Sequence, residues 1–103
     1  MDKITLIQPD DWHVHLRDEQ ALKTTVPAAA RGFGRGIVMP NLTPPVTNVN
    51  RARDYRERIL AQRPGGSDWQ PLMVLYLTDN TTPDDIIAAA NSGFIYGLSL
   101  IHI

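Results

Sequence analysis

The sequence contains no cysteine, which excludes a disulfide framework, a Cys-based zinc site and a thiol nucleophile. It also lacks an excess of charge of either sign. Ten Lys plus Arg stand against 11 Asp plus Glu, for a net charge of −1. Nucleic-acid and polybasic membrane binding rest mainly on charge neutralisation, so this balance argues against both partners. No apolar run approaches the ~20 residues of a membrane span. Met1-Asp2-Lys3-Ile4 does not open the apolar core of a signal peptide. Internal repeats and low-complexity tracts are missing too. What is present is 43% hydrophobic and 20% charged residues, enough for a packed core and unlike a disordered chain. The expectation is a soluble, cytoplasmic chain of 103 residues, a length that fits roughly one domain on the usual ~100–200 residue scale.

Strand and helix patterns alternate along the chain. Ile4-Thr5-Leu6-Ile7 is a short β-branched run stopped by Gln8-Pro9-Asp10. Asp11 to Leu16 then alternates as a strand does, with Trp12, Val14 and Leu16 on one face and His13 and His15 on the other. An Ala-rich helical stretch, Glu19 to Arg31, carries Pro27 and ends at Gly32-Phe33-Gly34. Gly36 to Met39 reads as a buried strand closed by Pro40-Asn41, and Pro44-Pro45 fixes the next segment as a loop. From about Asn48 to Gln62 the pattern is helical, with Ala52, Tyr55, Ile59 and Leu60 on one stripe and Asp54 placed to pair with Arg58. Leu72 to Leu77 is the clearest buried strand. Thr82-Pro83-Asp84-Asp85 is a helix start, with a threonine cap, proline at the first position and acids beside the positive end of the dipole. That helix breaks at Ser92-Gly93, and Phe94 to Ile101 is a last apolar run.

Such alternation implies an α/β fold with a parallel sheet and right-handed crossovers. Four parallel strands fit a small open sheet or part of a (β/α)8 barrel. A whole barrel takes ~250 residues, so this length supplies about half of one.

The chemistry concentrates at the predicted C-terminal ends of the strands, the edge where parallel α/β proteins build their sites. His13 and His15 form a His-x-His pair. A period of two projects both imidazoles from one face, able to share a cation. Arg17 and Asp18 follow at once. Asn41 takes the equivalent place after the second strand, as either a turn residue or an amide facing the same edge. Thr78-Asp79-Asn80 reads as turn and capping chemistry, and the arginines of 51–63 as a solvated face. Trp12 and Tyr76 read as core, and His102 has no evident role.

Asp11-Trp12-His13-Val14-His15-Leu16-Arg17-Asp18 resembles the N-terminal metal-binding signature of dihydroorotases, in the amidohydrolase superfamily. Ile37-Val38-Met39-Pro40-Asn41-Leu42-Thr43-Pro44-Pro45-Val46 is similar to that family's second signature. The spacing between them, the Tyr55-to-Leu60 helix and the Leu72-to-Thr78 strand with Asp79 match the single-domain bacterial type, over about residues 9–98. The resemblance implies the N-terminal half of a (β/α)8 TIM barrel, with four parallel strands and three intervening helices. It implies a zinc-dependent cyclic amide hydrolase of de novo pyrimidine (UMP) biosynthesis, interconverting dihydroorotate and N-carbamoyl-L-aspartate. By position, His13 and His15 are then ligands to the more buried ion of a two-zinc site, and Arg17 and Asn41 hold the substrate carboxylate. The implied partner is a small-molecule substrate, with a homodimer of the full-length parent compatible with it.

The match departs from the family after Gly97. A Lys-Leu-Tyr-Pro run is expected there, whose carboxylated lysine bridges the metals. Ser99 stands in its place, and serine forms no carbamate. The later histidines and the aspartate that acts as ligand and general acid/base are missing as well. The expectation is a fragment with an aberrant end at 98–103, from a truncated or frame-shifted reading frame, and without a complete catalytic site. Two alternatives fit the same residues: a non-catalytic metal-binding or assembly module, and another cyclic amidase such as a hydantoinase or allantoinase.

Overall fold

A computed structural model describes residues 9–42 and 44–99. The Ile4–Ile7 run, His102 and the end of the last apolar run lie outside the described residues. Strand β1 (Asp10–Val14) is followed by a single 3-10 turn (Glu19–Ala21) and helix α1 (Leu22–Gly32). Then come β2 (Arg35–Val38), α2 (Val49–Ala61), β3 (Gln70–Tyr76), α3 (Pro83–Ser92) and β4 (Ile95–Ser99).

The helices form where the sequence caps and stripes them. Asn48 caps α2 by accepting from the Arg51 backbone N–H at 2.9 Å. Thr82 and Asp85 close a reciprocal capping box on α3, and Gly93 ends that helix at φ +81°, a left-handed turn that glycine adopts freely. Pro27 does not stop α1. Its missing N–H costs one helical bond, but Leu22, Val26 and Ala29 bury a stripe on both sides of it, and that burial holds the helix together.

All strand pairs are parallel, in the order β1-β2-β3-β4. A doubly wound sheet reverses its order at a switch point. Here every crossover steps the same way, which is the arc of a barrel. Residues from α1, α2 and α3 share one buried cluster with Val38, Met73 and Leu75, so the three helices cover one face. Leu72 and Val74 alternate onto the opposite, concave face and stand outside that cluster.

Two expectations need correction. Trp12 is 59% exposed and lies under the Arg35 guanidinium at 5.6 Å, not in the core. The β1–β2 register shifts between Asp11 and Val14, opposite Gly36 and Val38. That bulge inserts one extra residue and breaks the strict alternation that placed Trp12 with Val14. Nor are the arginines of 51–63 simply a solvated face. Arg53 and Arg56 lie over the Phe94 ring at 5.6 and 5.9 Å, and Arg63 donates to the Trp69 carbonyl at 3.0 Å.

Candidate metal and carboxylate site

The site grows from the C-terminal end of β1. His13 and His15 flank Val14, whose side chain packs toward the core, so both rings leave on the other side of the strand. Asp11 accepts the His13 backbone N–H at 3.0 Å, which fixes the bulged strand just before the first histidine. The two rings meet edge to face with centroids 4.8 Å apart, and their Nε2 atoms are 3.0 Å from one another. Two nitrogens bound to one tetrahedral zinc at ~2.0–2.1 Å stand about 3.3 Å apart. The pair is therefore already set at nearly the separation that a shared cation needs.

Asn41 arrives from the end of β2, and its Oδ1 lies 3.1 Å from His15 Nδ1. An oxygen there accepts, so Nδ1 carries the proton and the His15 Nε2 lone pair faces His13 Nε2, where it can accept from that ring or bind a metal. The same bond turns the Asn41 amide nitrogen away from the histidine as a donor. Among the described residues no His, Cys, Asp or Glu joins the two imidazoles to make a group of three or more. The donors present fit two positions of a zinc shell.

Arg17 and Asn41 line one cleft of about 380 Å³, together with Asp18, Glu19 and Leu42. A larger hollow of about 510 Å³ adjoins it on the side of Pro44, Pro45, Arg51 and Arg58, and neither hollow is lined by His13 or His15. The turn that carries Arg17 is tied to α2. The Tyr55 hydroxyl donates to the Arg17 carbonyl. Arg58 makes a two-pronged bond to the Asp18 carboxylate at 2.8 and 2.9 Å. Arg58 thus pairs with Asp18, not with Asp54 one helical turn away, and the hydrogen bond it donates to Asp18 pushes its guanidinium further above the ordinary range. Burial, then the Asp18 charge, raises the Tyr55 phenol far above its usual value. Neither Tyr55 nor Arg58 was assigned to the site from sequence, because their partners are 38 and 40 residues away. After β3, Thr78 and Thr81 form a closed turn, with the Thr78 N–H donating to Thr81 Oγ1 at 2.9 Å. Ser99 ends β4 at the same edge, its carbonyl accepting from Leu77 at 2.8 Å.

The chain is 61% identical over 99 residues to the dihydroorotase of Ectopseudomonas mendocina, a match covering 96% of this chain and 28% of that protein. This chain is homologous to a segment of dihydroorotases. The Ralstonia nicotianae dihydroorotase is 58% identical over 100 residues, covering 97% of the chain and 29% of its own length. The chain thus spans a little over a quarter of these curated relatives. Among solved structures, a dihydroorotase from Campylobacter jejuni superposes with a TM-score of 0.79 at 35% identity, over 88% of this chain and 26% of that one. The Saccharomyces cerevisiae dihydroorotase in complex with 5-fluoroorotic acid gives 0.83 at 31% identity, over 92% and 26%. No protein-family model matches the chain. These relatives do not favour a hydantoinase, an allantoinase or an unrelated binding module. Among the described residues, no helix is long and apolar enough to cross a membrane.

Proposed function

We propose that this chain is the portion of a zinc-dependent dihydroorotase that supplies two metal ligands and the carboxylate clamp. The full-length activity is the interconversion of dihydroorotate and N-carbamoyl-L-aspartate in the cytoplasmic synthesis of pyrimidines. In the hydrolytic direction the ring amide C–N bond breaks, water adds its hydroxyl to the carbonyl carbon, and the nitrogen takes a proton. The observation that carries the proposal is the 3.0 Å approach of His13 and His15 Nε2 at the C-terminal edge of the sheet. Bound zinc there supplies Lewis acidity toward the ring carbonyl and makes water acidic enough to react near neutral pH.

The chain's own residues bind and orient. His13 and His15 are the ligands, and Asn41 holds His15 in the tautomer whose Nε2 is a donor of electrons. Arg17 offers a charged, planar fork to the substrate carboxylate. The Asn41 amide nitrogen, left free by the bond through Oδ1, donates to the same group. Together they place an anionic ring against the histidine edge.

The test replaces the corresponding segment of the Pseudomonas putida dihydroorotase, 61% identical over 99 residues, with residues 9–98 of this chain. The zinc-loaded chimaera is expected to hydrolyse dihydroorotate, and His13→Ala or His15→Ala to reduce kcat/KM by at least about 100-fold. The 103-residue chain with added zinc is expected to show no turnover above its His13→Ala control. A chimaera as active with both histidines replaced sinks the proposal.

A further inference from the structure

The turn that presents Arg17 is held in a shape its own residues disfavour. Arg17 has φ +62° and Glu19 φ +49°, and among the described residues only these non-glycine positions carry left-handed backbone. A side chain with a Cβ resists that region, so the conformation persists only where its surroundings enforce it. The enforcing contacts come from helices. The Tyr55 hydroxyl donates to the Arg17 carbonyl, and Arg58 grips Asp18 through Nε at 2.8 Å and Nη2 at 2.9 Å. Asp18 Oδ1 also accepts the Glu19 N–H at 2.8 Å, and Thr25 Oγ1 donates to the Leu16 carbonyl at 2.8 Å. Tyr55 and Arg58 are three apart on α2 and so share a helix face. The Tyr55 ring is buried in the core stripe, which makes the anchor rigid.

We propose that Tyr55 and Arg58 are positioning residues: helix α2 clamps the 17–19 turn, left-handed at Arg17 and Glu19, and thereby aims Arg17 at the substrate carboxylate beside Asn41. This rests on the carboxylate-clamp role given to Arg17 above. Relaxing φ at Arg17 to negative values swings its Cβ to a new direction and takes the guanidinium out of the cleft it shares with Asn41. The clamp acts on binding and leaves the histidine pair untouched.

Steady-state kinetics of the zinc-loaded chimaera test this. Loss of one neutral hydrogen bond converts to roughly a two- to tenfold change. Tyr55→Phe is therefore expected to raise KM for dihydroorotate about fivefold with kcat within about twofold. Arg58→Gln should raise it by at least as much, and Arg58→Lys should recover part of the loss. The decisive comparison uses an Arg17→Ala background, where Tyr55→Phe should change KM by less than about 1.5-fold because its effect runs through Arg17. If Arg17→Ala raises KM and Tyr55→Phe lowers only the melting temperature, the clamp is structural and this inference falls while the role of Arg17 stands. The same holds if Tyr55→Phe raises KM equally in both backgrounds. If Arg17→Ala leaves KM unchanged, or the chimaera does not turn over, the carboxylate-clamp role fails and the inference fails with it.

Discussion

Tyr55 joins the core to the site through a single side chain, its ring packed in the α2 stripe and its hydroxyl on the Arg17 carbonyl. That placement has a consequence for alkaline stability. Burial first, and the Asp18 charge second, raise the folded-state phenol, while the positive charges of Arg58 and Arg17 oppose the shift only in part. Below the unfolded value of about 10, both states keep the proton and nothing is lost. As pH rises past it toward the folded value, the unfolded chain releases its phenolic proton first, and stability declines. Tyr55→Phe is expected to flatten this alkaline limb, measured as urea midpoints between about pH 9 and 11. Equal slopes in both proteins would remove the linkage. At this scale, the gathering of His13, His15, Arg17 and Asn41 at one sheet edge was legible, because it follows from short spacing and place relative to a strand end. The partners of Arg17 and Asp18 were not, because 38 and 40 residues of chain separate them. Nothing local marks Arg58 as the mate of Asp18 when Asp54 lies one turn away.

Elements divide in the same way. Helix α3 was readable to within a residue because its signals are local: a threonine cap, a proline at the first position and a glycine at the end. The bulge in β1 was not, since a bulge exists only relative to the neighbouring strand. Its effects reach Gly36, which pairs with Asp11 where the register begins to shift. A Cβ on Gly36 would lie 3.2 Å from Trp69 Cζ2 and 3.2 Å from Val14 Cγ1. Trp69 is only 2% exposed, so its ring has little room to retreat. Gly36→Ala is therefore expected to destabilise the fold by about 1–2 kcal/mol through overpacking. An unchanged urea midpoint would show that the Trp69 ring can yield. Cation–π stacking on Phe94 likewise could not be read from α2 alone. Arg53 and Arg56 appear as surface charge until the fold brings Phe94, the residue before β4, beneath them.

For the whole molecule, the apolar side chains left exposed on the sheet decide behaviour. Trp12 is 59% exposed, Tyr96 63% and Leu98 44%. Among the described residues, β1 and β4 each pair with only one strand. Apolar side chains beside free strand edges favour association. The 103-residue chain is expected to scatter light as species heavier than 11.5 kDa at micromolar concentration. Tyr96→Lys with Leu98→Lys should shift it toward the monomer. A monodisperse monomer without those changes would show that these side chains do not drive association. By itself the sequence determined the order of strands and helices, the His-x-His pair and the family signatures, because each depends on periodicity or spacing within about fifteen residues. Tertiary structure alone decided that the sheet is an arc with its helices on one face, that Trp12 is exposed, and that Asn41 sets the tautomer of His15. It also decided that α2 holds the turn bearing Arg17. The last two are contacts between segments 26 and 38 residues apart, and only closing the intervening chain brings their atoms within hydrogen-bonding range.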